Sequence, residues 1–94
     1  MSDAEDDPAF VVLMRNAEAM KRGLLPMWTV YEKPLDHPDG FIARRFESGK
    51  GGSRPTEDTL IGDLEAIRST LLRAGLVKLD RSVEDEPQIV EVWV

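Results

Sequence analysis

The stretch that decides the fold runs from Met27 to Glu47: Met-Trp-Thr-Val-Tyr-Glu-Lys-Pro-Leu-Asp-His-Pro-Asp-Gly-Phe-Ile-Ala-Arg-Arg-Phe-Glu. Trp28, Thr29, Val30 and Tyr31 are strong strand formers. Pro34 and Pro38 bar that strand from continuing, because proline lacks the amide a ladder needs, and Asp39-Gly40 supplies turn chemistry. Phe41–Glu47 is then the return strand of a hairpin. In it Ile42, Arg44 and Phe46 share one face, and Phe41, Ala43 and Arg45 share the other. Neither face is wholly apolar, as in a sheet with a core on one side and a partly wet surface on the other.

Downstream, Ser48–Pro55 reads as a flexible loop by its glycines and polar residues. Thr56 is the expected N-cap of a helix, with Glu57 and Asp58 in a first turn that favours acids. Leu60, Leu64, Ile67, Leu71 and Ala74 recur as one apolar stripe, so the spacing predicts a helix over 57–74. Gly75 is the expected left-handed stop, with Leu76 folding back on Leu71. Residues 76–79 read as a short strand or connector and 80–87 as an acidic turn. The last strand, 88–94, alternates Val90, Val92 and Val94 with Ile89, Glu91 and Trp93.

Upstream, residues 1–6 are an acidic tail. Asp7 and Pro8 start a helix over 8–22, whose apolar stripe is Phe10, Leu13, Met14, Ala17 and Met20 and whose stop is Gly23. Phe10-Val11-Val12-Leu13 also has the composition of a strand. Pro26 separates this segment from the hairpin. The chain therefore divides into residues 1–26, either a packed helix or an arm, and a unit over 27–94. The expected class is α+β: a three-stranded, mostly antiparallel ββαβ sheet under one long helix, with the last strand beside the first, plus the N-terminal helix.

The totals narrow the chemistry. The 94 residues make one small domain, with 41% hydrophobic and 32% charged residues. A net charge of −6 disfavours wholesale binding to a nucleic-acid backbone, which is driven by lysine and arginine replacing counterions. No cysteine is present, so disulfides, thiol chemistry and cysteine-held metal centres are out of reach. No apolar run approaches the roughly 20 residues a bilayer needs, and the first residues are acidic where a secretory signal is basic. A cytoplasmic, bacterial-type protein is expected.

Four constellations bear on function. Asp36-His37-Pro38-Asp39 places an imidazole near two carboxylates, yet no second histidine or nucleophile accompanies it, and a turn explains all four residues. The acidic group Asp80, Glu84, Asp85 and Glu86 lacks the spacing of a calcium loop. Gly49–Gly52 could cradle an anion, but Arg54-Pro55-Thr56 departs from the phosphate-loop pattern. Arg44, Arg45, Lys50 and Arg54 form the one positive cluster, fit for an anion or an acidic partner, or for cross-strand ion pairs. Trp28, Tyr31 and Trp93 are the candidate interface aromatics. No catalytic residue, metal ligand or cofactor site is assigned.

Met27–Glu32, the Pro38–Glu47 string and the closing Ile89-Val-Glu-Val-Trp-Val94 resemble a family of short uncharacterised bacterial proteins, whose chains often begin at the equivalent of Met27. The resemblance covers residues 27–94 and implies no activity. Two functions follow as expectations. The first is a non-enzymatic interaction module, a homodimer joined through a sheet edge or the N-terminal helix, with a further protein partner. The alternative is a nucleic-acid or anion binder using the positive cluster, of which nucleic acid is the less favoured ligand.

Overall fold

The computed structural model describes residues 7–32, 40–79 and 89–94. His37 and the group Asp80, Glu84, Asp85 and Glu86 lie outside the described residues. The class is α+β. Helix α1 (Pro8–Lys21) leads into strands β1 (Leu25–Glu32), β2 (Phe41–Gly49) and β3 (Gly52–Gly62). Helix α2 (Leu64–Arg73), β4 (Lys78–Leu79) and β5 (Ile89–Trp93) follow. The five strands form one sheet in the order β3-β2-β1-β5-β4, with every neighbouring pair antiparallel. The last strand does lie beside the first. The three-stranded ββαβ expectation is corrected by two added strands, β3 and β4.

Strand β3 replaces the first part of the expected helix. Residues 48–55 are not a loop: β2 turns tightly at Lys50-Gly51 into β3, with Gly49 paired to Gly52. Gly52 has φ of +103°, a backbone state that only glycine adopts without strain. Thr56 behaves as a cap would, but for a bulge. Its hydroxyl accepts the Asp58 amide at 3.2 Å and donates to the Arg45 carbonyl at 2.8 Å. The ladder passes from Arg44↔Thr59 to Phe46↔Pro55, leaving residues 56–58 opposite Arg45 alone. The helix begins later, at Leu64, capped by Asp63, whose Oδ1 accepts the Ala66 amide at 2.8 Å. Its end is as expected. Leu76 N–H bonds Leu71 O at 3.1 Å and Gly75 N–H bonds Leu72 O at 3.0 Å, the paired bonds of a Schellman stop.

Both helices lie on one face of the sheet. Val12 from α1, Trp28 and Val30 from β1, Ala43 from β2, Ile67 and Leu71 from α2 and Trp93 from β5 share a single core. Helix α1 is thus packed on β1 and α2, and Asp7 at its cap receives Arg73 from the end of α2 at 2.5 Å. Its buried stripe is not the expected one. Ala9, Val12, Asn16 and Ala19 face inward, while Phe10, Leu13, Met14 and Met20 are exposed. The small alanines let the helix approach the sheet closely, and Asn16 is needed there because its Oδ1 accepts the Trp28 indole N–H at 3.0 Å.

Candidate functional site

The sheet distributes its side chains against the usual order. Residues facing each other across the ladder share a face. The helix-covered face carries Arg45, Glu47 and Glu91 along with the core residues Trp28, Val30, Ala43 and Trp93. The opposite face carries Met27 against Phe46, Tyr31 against Ile42 and Ile89, and Ile42 against Ile61. Its central row is Arg44, Thr29 and Val92. No described helix covers that face. Antiparallel sheets with one open side normally put polar residues there. Here the ion pairs lie under the helices and the open face is largely apolar.

The buried charges form an alternating ladder. Arg45, with a side chain 7% exposed, donates to Glu47 Oε2 at 2.8 Å and to Asp58 Oδ2 at 2.5 Å. Asp58 faces inward by strand alternation from Leu60, next to the outward Thr59, and lies opposite Arg45 in the bulge. Arg22, just past α1, pairs with Glu47, and Arg15, two turns earlier on the helix, lies 3.7 Å from Asp58. The row Arg15, Asp58, Arg45, Glu47, Arg22 ties α1 to β2 and β3. Hydrogen bonds from Arg22 and then Arg45 hold the Glu47 carboxyl down at about 2. Burial works against the charge on Arg45, but the bonds to Glu47 and Asp58 outweigh it and raise its pKa.

A second buried carboxylate sits at the other side of the core. Burial pushes the Glu91 carboxyl up, and bonds from Arg68 and from the Trp93 indole N–H overcome that push, so its pKa falls. Among the described residues no buried side-chain polar atom lacks a partner. No three of His, Cys, Asp and Glu among them cluster closely enough to hold a metal ion. No helix among them is long and apolar enough to cross a membrane.

The positive cluster expected from the sequence is divided three ways. Arg44 lies on the open face and donates to the Thr56 carbonyl at 2.8 Å. Arg45 is inside the ladder. Lys50 and Arg54 remain exposed at the β2–β3 turn, where they line a cavity of about 230 Å³ with Arg22, Leu24, Glu47 and the turn glycines. Of the interface aromatics, Trp28 and Trp93 are core residues and Tyr31 is half-buried on the open face. Arg22, Arg15 and Asp58 had no marking in the sequence as members of one network, since they are brought together only by helix docking and the bulge.

No family model, no curated protein and no solved structure matches the chain.

Proposed function

We propose that the protein is a non-enzymatic interaction module that acts as a homodimer, joined through the open face of its sheet. One observation carries the reading: the face left without a helix is largely apolar, while Arg45, Glu47 and Glu91 are sequestered beneath α1 and α2. Exposed apolar area costs free energy that a second copy would recover. Four strands about 4.8 Å apart and about 20 Å long give a footprint of roughly 400 Å² before side-chain relief. Doubled over two copies that is roughly 800 Å² in total, just short of the about 1,000 Å² of specific interfaces, so the proposed dimer is a weak one, with a Kd of micromolar order. The exposed stripe Phe10, Leu13, Met14 and Met20 on α1 is a second apolar surface, open to a protein partner of the dimer. We place this module in the cytoplasm, where a chain without cysteine loses nothing to a reducing environment.

Light scattering on a sizing column tests it. The wild-type chain, of 10.6 kDa, should elute at twice that mass when loaded at about 50 µM, well above a micromolar Kd. Phe46→Glu, placed in the middle of the open face beside Met27, should elute as a monomer with an unchanged circular dichroism spectrum. A wild-type monomer at that loading would overturn the dimer. A Phe46→Glu dimer would move the contact away from the open face.

A further inference from the structure

The cavity at the β2–β3 turn has the composition of a small-oxyanion site, and we propose that it binds a phosphate group, either free phosphate or the phosphate of a small phosphorylated molecule. Three cations, Arg22, Lys50 and Arg54, line it against one carboxylate, Glu47, in a chain whose net charge is −6. Glu47 does not answer the excess. Its two oxygens are already taken by Arg22 and Arg45. Lys50 and Arg54 make no ion pair among the described residues, and Arg54 is placed opposite Glu47 by the ladder, on the helix-facing side of the sheet. Two unpaired cations beside a third repel one another, and an anion between them converts that repulsion into charge-assisted hydrogen bonds.

The frame around these cations is fixed. Gly49 lies so close to Leu24 that a Cβ there would meet Leu24 Cδ2 at 2.7 Å, so the turn is seated against the segment leaving α1. Arg22 is held at the cavity by its ion pair with Glu47, which lines the same cavity. Gly51 and Gly52 bring no side chain into the mouth, and a Cβ at either would meet nothing within 4 Å. About 230 Å³ is smaller than the roughly 300–1,000 Å³ of pockets that enclose drug-sized ligands, so the site is sized for a small oxyanion such as a phosphate group. The site opens beside the helix layer and does not use the open face proposed for dimerisation, so the two readings fail separately.

Nuclear magnetic resonance titration of the full chain with inorganic phosphate, at constant ionic strength, tests it. Amides of Gly49, Gly51 and Gly52 should shift and saturate with a midpoint of about 1 mM. The double variant Lys50→Gln/Arg54→Gln changes only exposed residues, so it should keep the wild-type spectrum elsewhere and weaken the midpoint at least ~10-fold. Glycerol 3-phosphate run in parallel separates the sources. A tighter midpoint than inorganic phosphate assigns the site to small phosphorylated molecules, and an equal one to free phosphate. Shifts that rise linearly without saturating, or an equal midpoint in the double variant, would overturn the site.

Discussion

Replacing Arg45 with methionine removes the centre of the ladder and strands two carboxylates beneath a helix. Breaking a buried ion pair by deleting one partner costs about 3–5 kcal/mol, because the remaining charge keeps its desolvation penalty. Here each carboxylate retains a second arginine. Glu47 keeps Arg22, whose side chain is 48% exposed, and Asp58 keeps Arg15, which is 52% exposed. Pairs that wet contribute about 0–1 kcal/mol each, so Arg45→Met should destabilise by about 2–3 kcal/mol. For a domain of this size that lowers Tm by roughly 10–20 °C. Urea unfolding followed by far-ultraviolet circular dichroism at pH 7 measures the loss, at one protein concentration so that self-association does not shift the apparent stability. The triple variant Arg45→Met/Glu47→Leu/Asp58→Leu removes the stranded charges and should recover most of it, since apolar replacements of whole buried networks are often neutral or better. A loss below about 0.5 kcal/mol for Arg45→Met would refute the ladder as a stabilising element. A triple variant as unstable as the single one would show that packing, not charge, sets the cost.

Glu47→Gln should flatten the acid limb of stability. Its carboxyl is lowered from 4.5 to about 2 in the folded chain, so its contribution is present above the unfolded value and is lost as pH falls from 4.5 towards 2. The shift sets a ceiling of about 3 kcal/mol, and solvent around Arg22 reduces it to about 1–2 kcal/mol at pH 7. Unfolding midpoints taken across the acid range should therefore converge for wild type and variant at low pH, and midpoints that stay parallel would count against it. A chain starting at Met27 loses Val12 and the two inward alanines from the core, and the Trp28 indole loses its Asn16 acceptor. It should be less stable by at least about 4 kcal/mol. If the shortened chain instead melted cooperatively within about 1 kcal/mol of the full one, α1 would be an appended arm.

Local chemistry that acts on its own neighbours was readable in the sequence. The pairing of Met27–Glu32 with Phe41–Glu47, the Gly75 stop with Leu76 bonded back to Leu71, and the final strand follow from propensity and caps, and each is present. A bulge nonetheless puts Ile89 on the face opposite Glu91 and Trp93, and the turn over 33–39 lies outside the described residues. Thr56 shows where such reading divides. A threonine hydroxyl that accepts an amide two residues on serves a helix start and a bulge equally. Leu60 then joined the stripe of α2 by coincidence of spacing, although it packs on the same core from β3. On α1 the heavier apolar stripe is the exposed one, because close docking on the sheet selects small residues and one amide. The open face was hidden for a related reason. An arginine stands on each face of β2, and only the helices decide which of the two becomes an interior charge.

The two tryptophans stand side by side on neighbouring strands, Trp28 opposite Trp93, both buried, with their indole N–H groups bound to Asn16 and Glu91. Their emission therefore follows the docking of α1, which supplies Asn16, and of α2, whose Arg68 holds Glu91. The single tyrosine, Tyr31, belongs to the opposite surface. Release of the helix layer exposes both indoles to water and so alters their emission, while Tyr31, three residues from Trp28 on the same strand, passes its excitation to them from the other surface.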